Sequence, residues 1–455
     1  MKIFNPANDQ LLQEINEDTI STLDEKYQVL RQGVKEFSQT SLSERIAKIS
    51  RFADLLRAEE DQLATLLTSE TGKPLIESRN EILAAADKVQ FFIQESENIL
   101  HKRKVQQIGN TEESISYEPL GVIANISAWN YPYLVGVNIF IPALVCGNAV
   151  LYKPSEFATL SGLEIQRLIK AAGLSENVFQ ICLGGPLVGE AILALPLDGY
   201  FFTGSYKTGR HIATAVAPKL VPVGLELGGK DPLYVTDEVT DIAAVAAAAV
   251  SGAFYNNGQS CCAVERIYVH EKVYPEFLEK FLHEVDQLVV GNPLLASTTN
   301  GAITRAAQLN FLSAQVTDAL AKGGTLARGG KVLPGPGNYF TPTVIVDANE
   351  KMQLMTEESF GPIIGIQTVK NDDEALTYMN NTQFGLTAAV YCSDHMRGEK
   401  IIGQLDCGTG YLNCCDRVSA YTPWSGRKNS GLGSTLSAHG LYAFCNPKAW
   451  QIRTT

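Results

Sequence analysis

The chain has no cluster of metal ligands. Its six histidines (101, 211, 270, 283, 395 and 439) lie far apart, and none stands at ligand spacing with a cysteine, so no metal site is expected. No apolar run approaches the length of a membrane span. The first residues, Met1-Lys-Ile-Phe-Asn-Pro6, lack the charged region and apolar core of a secretion signal. Basic residues are outnumbered, 37 Lys and Arg against 49 Asp and Glu, giving a net charge of −12. That balance argues against nucleic-acid partners and favours small ligands. Nine cysteines show no short regular spacing, though Cys261/Cys262 and Cys414/Cys415 are vicinal. They read as reduced thiols of a cytoplasmic protein and not as a disulfide framework. The Gly-x-Gly-x-x-Gly dinucleotide fingerprint is missing from any strand-to-helix setting. There is no internal repeat and no low-complexity tract.

What remains is ordinary globular material: 455 residues, 45% hydrophobic and 19% charged, a length that suits two or three domains. The first hundred residues read as helical. Ser41-Leu-Ser-Glu44 is a candidate capping box, Gly72-Lys-Pro74 is a break, and a further helix is expected over about 81–92. Residues 102–119 are polar with β-type alternation and read as an extended arm. From Gly121 the texture changes to short apolar runs, 121–126, 148–153, 178–183, 199–203 and 223–227, several of them separated by amphipathic stretches. A second such series runs from Arg266 to about Asn413, with a hinge near Gly228-Gly229. Alternation of this kind predicts an α/β protein with two parallel sheets covered by helices. Ligands in such sheets bind beyond the carboxyl ends of the strands. The last segment, 444–455, is again strand-like.

Between the two series stands Tyr255-Asn-Asn-Gly-Gln-Ser-Cys-Cys-Ala-Val-Glu-Arg266. A glycine turn there delivers two cysteines between a helical run and an apolar strand. Such a thiol is either an activated nucleophile or a packed small hydrophobe. Six further motifs surround it: Ser127-Ala-Trp-Asn-Tyr-Pro132, Lys153-Pro-Ser-Glu156, Phe202-Thr-Gly-Ser205, Glu226-Leu-Gly-Gly-Lys230, Glu358-Ser-Phe-Gly-Pro362 and Pro423-Trp-Ser-Gly-Arg-Lys-Asn-Ser-Gly431. In this order the set resembles the aldehyde dehydrogenase superfamily, in its hydrolytic, non-acylating branch, from about residue 5 to the C-terminus. The resemblance implies two doubly wound Rossmann-like domains with an active-site cleft between them and a small β oligomerisation arm. The expected division is a dinucleotide domain of 1–101 and 119–228, a catalytic domain of 229–430, and an arm and tail of 102–118 and 431–455. It also implies a homodimer or homotetramer.

The family's Gly-Gln-x-Cys pattern selects Cys261 as nucleophile. A thiolate adds to an aldehyde carbonyl as a thiohemiacetal oxyanion, and loss of hydride leaves a thioester. Cys262 is then a packed neighbour in the substrate tunnel, since adjacent residues on a strand face opposite sides. Asn130 matches the family's oxyanion-hole asparagine; by itself it reads as a turn former. Glu226 matches the base that activates water, and burial in the cleft would raise its pKa. By itself it reads as a surface carboxylate or a partner of Lys230. Its presence points to a free acid as product and away from the CoA-acylating members. The strand, glycine turn and helix start at 202–205 offer a pyrophosphate site, with Gly204 and Ser205 at the phosphates. Lys153 and Glu156 match the pair on the adenosine ribose, and Glu358 the residue on the nicotinamide ribose. Phe360 packs near the nicotinamide, and Ile126, Trp129 and Leu227 complete the expected cofactor pocket. A lysine at a strand end, such as Lys153, is otherwise commonly solvated. A carboxylate at 156 accepts bonds from both ribose hydroxyls and repels a 2′-phosphate, so NAD is expected over NADP.

The chain also departs from the family. Hydrolytic members often carry a relay lysine and a second glutamate near the base, and the aligned positions hold Ile139 and Ala438. Asn138 and Tyr255 stand where members that oxidise succinate semialdehyde use arginines, which weighs against that substrate. Tyr131, Tyr255 and Trp424 match tunnel aromatics of betaine-aldehyde and aminoaldehyde dehydrogenases, where aromatic faces attract cations. Arg417, expected near the tunnel mouth, opposes a cation. An aliphatic or aromatic aldehyde is therefore ranked first. The remaining alternatives are a CoA-acylating dehydrogenase and a non-catalytic protein on the same scaffold.

Overall fold

The computed structural model describes residues 1–454. After a short hairpin, Lys2–Phe4 with Leu11–Glu14, come four helices: Ile20–Phe37, Leu42–Ala58, Glu60–Thr71 and Leu75–Leu100. The capping box forms as expected. Ser41 Oγ accepts from the Glu44 N–H at 3.2 Å, and the Glu44 carboxylate accepts from the Ser41 N–H at 2.9 Å. Gly72 closes the third helix in the left-handed region, at φ +80°. A Cβ there would lie 2.5 Å from the Ala302 carbonyl, so this glycine also lets two distant parts of the chain touch. The fourth helix runs well beyond 81–92 in both directions. The break at 72–74 precedes it, and no glycine or proline interrupts its 26 residues.

Two large sheets follow. The first has six strands in the order Gly431–Leu432, Val223–Leu227, Gly199–Gly204, Val122–Ile126, Ala149–Lys153 and Phe179–Ile181. All neighbours are parallel except the edge strand Gly431–Leu432. The second has seven strands in the order Thr325–Arg328, Thr343–Val346, Ile363–Val369, Val264–His270, Asp231–Val235, Thr387–Tyr391 and Thr409–Leu412. It is parallel apart from its first pair. The inner strands Val122–Ile126, Ala149–Lys153, Asp231–Val235 and Val264–His270 are buried at every residue. Helices cover both faces, which is why these strands read as continuous apolar runs and not as alternation. Separate apolar clusters lie on the two faces of the second sheet, one around Phe277 and Phe281 and the other around Leu312 and Met355.

A third sheet is antiparallel, Arg103–Ile108, Thr111–Pro119 and Cys445–Arg453. The arm and the end of the chain pair here. The stretch before Cys445, grouped in sequence with the tail, is divided differently. Gly431 pairs with Glu226 at the edge of the first sheet, and the helix Ser437–Tyr442 packs on the helices of the first half. A short strand and a one-turn helix have no periodic pattern to announce them.

Candidate active site

The first sheet's last parallel strand ends at Leu227, and the second sheet's first begins at Asp231. A cleft of about 830 Å³ lies beyond the carboxyl ends of the first sheet's strands, where open α/β sheets hold their ligands, and is closed by segments that precede the second sheet's strands, such as Ser260–Cys262 and Glu358–Phe360. The cysteine segment reaches it from the opposite side. Helix Ile242–Phe254 ends in a tight turn at Tyr255–Gly258. Asn256, Asn257 and Gly258 all have positive φ, at 51°, 55° and 68°. Asparagine and glycine are the residues that tolerate this region, and a Cβ on Gly258 would meet the Gly361 carbonyl at 2.4 Å.

Side-chain amides lock the turn. Asn256 Nδ2 donates to the carbonyls of Asn130 and Gln259, both at 3.1 Å. The Asn256 N–H donates to Glu77 at 2.9 Å, and Asn300 Nδ2 to Asn257 Oδ1 at 3.1 Å. Gln259 Oε1 accepts from the Thr304 N–H at 3.1 Å. Three consecutive left-handed residues held by this many bonds are the kind of strain that clusters at functional sites.

Asn130 follows the strand Val122–Ile126. Its Nδ2 donates to the Gln259 carbonyl at 3.1 Å, two residues before Cys261. The helix Pro132–Val145 begins with Tyr131 at its cap and no side-chain capping bond, so Asn130 is tied to the cysteine turn and does not cap that helix. Cys261 is half-buried and lines the cleft. Cys262 lines it too but is buried. The two lie in a turn, with the strand starting only at Val264, so strand alternation does not separate them. Partners do: Cys262 Sγ donates to Asp416 Oδ1 at 3.0 Å. Hydrogen bonding with Cys261, burial and the Asp416 carboxylate hold the Cys262 thiol well above the usual range.

Glu226 projects into the same cleft from the end of its strand. Oε1 accepts from Thr435 Oγ1 at 3.0 Å. Oε2 is shielded from solvent and has no hydrogen-bond partner. Burial raises this carboxyl to about 8, against the pull of the Thr435 bond and the Lys88 charge. Lys230 is not its partner. Lys230 Nζ donates to Glu265 at 2.6 Å and to Ser359 at 3.0 Å, and Glu265 in turn accepts from the N–H groups of Ser359 and Phe360. This buried pair positions the segment that carries Glu358 and Phe360. The residue against Glu226 near the C-terminus is Thr435 and not Ala438, which does not line the cleft. The backbone between them is irregular, with Leu436 and Ser437 at φ +61° and +51°. Ile139 is buried and lines the cleft near these groups.

The expected cofactor residues are brought together along one part of the cleft: Ile126, Trp129, Lys153 and Glu156, then Gly204, Ser205 and Leu227, with Glu358 and Phe360 opposite. Lys153 is buried and not solvated. Its Nζ donates to the Pro154 carbonyl at 3.3 Å and lies 4.0 Å from Glu156. Strand Gly199–Gly204 is followed directly by Ser205, which caps the helix Tyr206–Val216. Glu358 accepts from the Gly229 N–H at 3.2 Å. The Phe360 and Trp129 rings meet edge to face, 5.3 Å between centroids. A helix start, a buried lysine and ribose-type carboxylate acceptors fit a dinucleotide.

The remaining wall holds Tyr131, Asn138, Tyr255, Cys262 and Trp424. Arg417 is not part of it. Its side chain is exposed outside the cleft, and its carbonyl accepts from the Tyr411 hydroxyl. The neighbouring Asp416, at φ +46°, lines the cleft in its place, with burial raising its carboxyl to about 6. One face of Tyr131 is already taken by Lys73, whose Nζ sits 3.9 Å from the ring centroid. Lys88, from the long helix Leu75–Leu100, also faces the cleft and donates to Asn138 Oδ1 at 3.2 Å. Lys88 and Asp416 carry no motif, so sequence alone had no signal for either.

Comparison with known proteins gives one family. The model described as "Aldehyde dehydrogenase family" matches residues 1–450. The chain is 33% identical over 448 residues to "Succinate-semialdehyde dehydrogenase [NADP(+)] 1" of Mycobacterium tuberculosis, covering 98% of each. A crystal structure of an NADP-dependent enzyme from E. coli superposes with a TM-score of 0.97 at 29% identity, covering 100% of this chain and 94% of that one. The NAD+ complex of betaine aldehyde dehydrogenase from Staphylococcus aureus gives 0.96 at 28%, covering 100% and 92%.

Proposed function

This chain belongs to the aldehyde dehydrogenase family and is an NAD(P)-dependent oxidoreductase acting on aldehydes, and we propose that it works by the hydrolytic route, with Cys261 as nucleophile and Glu226 as general base. The observation that carries this reading is the Glu226 carboxyl. It shares the cleft with Cys261, has one buried oxygen without a partner, and is raised to about 8. A base of that strength is matched to activating water near neutral pH.

The steps follow from the groups in place. The Cys261 thiolate forms a bond to the aldehyde carbon, and the carbonyl oxygen becomes an oxyanion. Its collapse with loss of hydride from that carbon leaves a thioester. Donors for the oxyanion are the Cys261 N–H and Asn130 Nδ2. The bond from Asn130 to Gln259 uses only one of the two amide hydrogens, and it fixes the direction of the other. Bound NAD supplies the hydride acceptor; Lys153 and Glu156 would hold its adenosine ribose, and Glu358 the other ribose. Glu226 Oε2 then takes a proton from water, the water oxygen attacks the thioester carbon, and the Cys261 thiolate leaves. Thr435, a hydroxyl and not a second carboxylate, is the group bonded to Glu226. With Ile139 apolar, the expected relay position holds no lysine, and the Glu226 proton passes to solvent.

NAD is proposed over NADP because Glu156 would face a 2′-phosphate with like charge. Relatives named for NADP and a structure holding NAD+ are both among the matches, so the carboxylate carries this choice. The substrate is proposed to be an aldehyde with an aliphatic or aromatic chain. The two matched enzymes are named for substrates of opposite charge. A cationic one is disfavoured here, because Lys73 already occupies a face of Tyr131. Assembly as a homodimer or homotetramer is proposed through the three-stranded sheet, where Val105, Ile108 and Ile452 are exposed.

The experiment is to incubate purified protein with NAD and an aldehyde, with and without CoA. The expected result is one NADH and one free carboxylate per aldehyde consumed, unchanged by CoA. NADH formation that requires CoA overturns the hydrolytic reading.

A further inference from the structure

We infer that Glu77 is a positioning residue for the oxyanion hole: through Asn256 it sets the direction of the two donors proposed for the thiohemiacetal oxygen. This deepens the proposed function and rests on it.

Glu77 stands in the first turn of the helix Leu75–Leu100 and is buried. It does not line the cleft, whereas Asn80, Glu81, Ala84 and Lys88 of the same helix do. Its link to the site is indirect. Glu77 Oε2 accepts from the Asn256 N–H at 2.9 Å, and Asn256 is the first of the three left-handed residues in the cysteine turn. The Asn256 amide bridges the carbonyls of Asn130 and Gln259, both at 3.1 Å. The Gln259 carbonyl also accepts from Asn130 Nδ2 at 3.1 Å. Both of its lone pairs are then used, so this peptide cannot rotate without breaking two bonds. The next peptide carries the Cys261 N–H, and its carbonyl, on Ser260, accepts from the Ala263 N–H at 3.2 Å. Asn130 Nδ2 belongs to this hydrogen-bonded ring, the Cys261 N–H follows it by one peptide, and Glu77 anchors the ring from behind.

The same helix holds the other side. One turn on from Glu77, Glu81 pairs with the buried Lys73 and accepts from the Tyr133 N–H at 2.9 Å, just past Asn130. Glu77 thus fixes the segment of the nucleophile and Glu81 the segment of the asparagine. An asparagine in the left-handed region is strained, and a buried N–H left without an acceptor is costly. Removing the Glu77 acceptor therefore favours another orientation of the Asn256 peptide. Burial raises the Glu77 carboxyl to about 8, against the Lys73 charge and the Asn256 bond. Near neutral pH the acceptor is a carboxylic acid, which an amide can replace.

The test is a single turnover, with enzyme in excess over hexanal or benzaldehyde and NAD saturating, in wild type, Glu77→Gln and Glu77→Leu. NADH absorbance reads the step that follows the oxyanion. Misplaced oxyanion donors cost roughly 10²-fold, so Glu77→Leu should slow NADH formation by about that factor. Glu77→Gln keeps an acceptor and should stay within roughly threefold of wild type. Alkylation of Cys261 by iodoacetamide displaces iodide and forms no oxyanion. Its rate, mapped at Cys261, and the affinity for NADH should hold within roughly threefold in both variants. Unchanged NADH formation in Glu77→Leu overturns the role. So does an equal loss in Glu77→Gln and Glu77→Leu, because the acceptor would then not be what matters. A parallel fall in alkylation in a folded Glu77→Leu also overturns it, because the whole turn would have collapsed. Where Glu77→Leu does not fold, Glu77→Asp serves. Its shorter side chain draws the acceptor away from the N–H, and the same split between NADH formation and alkylation is expected; an unchanged NADH rate overturns the role. No NADH from wild type with either aldehyde overturns the proposed function itself, whereas wild-type turnover that is indifferent to Glu77 sinks the positioning role alone.

Discussion

Thr435 Oγ1 donates to Glu226 Oε1 at 3.0 Å, and this bond joins a loop near the C-terminus to the carboxyl proposed as the base. It stabilises the ionised form, while burial opposes ionisation and wins, leaving the group at about 8. The sign for catalysis follows. Water activation needs the carboxylate, so deacylation should be slow below about pH 8 and rise through it.

Thr435→Val removes the donor and keeps the shape. A hydrogen bond to a charged group contributes about 1.5–3 kcal/mol, and each pKa unit corresponds to about 1.4 kcal/mol. The midpoint of the kcat–pH profile should move up by roughly one to two units. A profile that stays in place would mean that Glu226 is not the group whose ionisation limits turnover.

Glu226→Gln keeps the hydrogen-bond geometry but takes away the base. Steady-state oxidation should fall by roughly 10²–10⁴, while acylation continues. Rapid mixing should then show a burst of one NADH per active site and a trapped acyl-enzyme by mass spectrometry. Loss of the burst together with the steady state would assign Glu226 to an earlier step.

The two cysteines should separate cleanly. Cys261→Ser should abolish aldehyde oxidation, because a serine hydroxyl is far less acidic and less nucleophilic than a thiol near neutral pH. Cys262→Ser should keep turnover within roughly tenfold, since the hydroxyl can still donate to Asp416. If peptide mapping after limited iodoacetamide finds Cys262 labelled first, the assignment of roles is reversed.

Glu156→Ser removes the charge proposed to reject a 2′-phosphate. The ratio of kcat/KM for NADP over NAD should rise by roughly tenfold or more. A wild-type enzyme that already uses NADP as well as NAD would remove the basis for this expectation.

The α/β class, the two parallel series and the capping box at Ser41 were legible because they are local. Buried parallel strands leave continuous apolar runs, and a capping box is written within four residues. The family was legible because seven motifs keep their order. The full extent of the helix Leu75–Leu100 was not, nor was the placement of residues 431–444, where short elements carry no period. Arg417 was expected at the cleft and lies outside it. The left-handed residue Asp416 turns its own side chain inward, and a one-residue change of direction is invisible in a pattern.

By itself, the sequence determined which groups are available: a thiol after a glycine turn, a carboxylate at a strand end, an amide before a proline, and a glycine-and-serine turn in place of the usual fingerprint. Tertiary structure alone decided which of them meet and in what electrostatic setting. The pairing of Lys230 with Glu265 leaves Glu226 free, and Thr435 reaches Glu226 across 209 residues of chain. Lys88 reaches Asn138 from a separate helix, 50 residues away. Asn138 read alone suggested a tunnel without a cation; its neighbour in space supplies one. The reason is physical: pKa values and unmatched charges depend on burial and on partners within a few ångströms, and those are set by packing between elements remote in the chain.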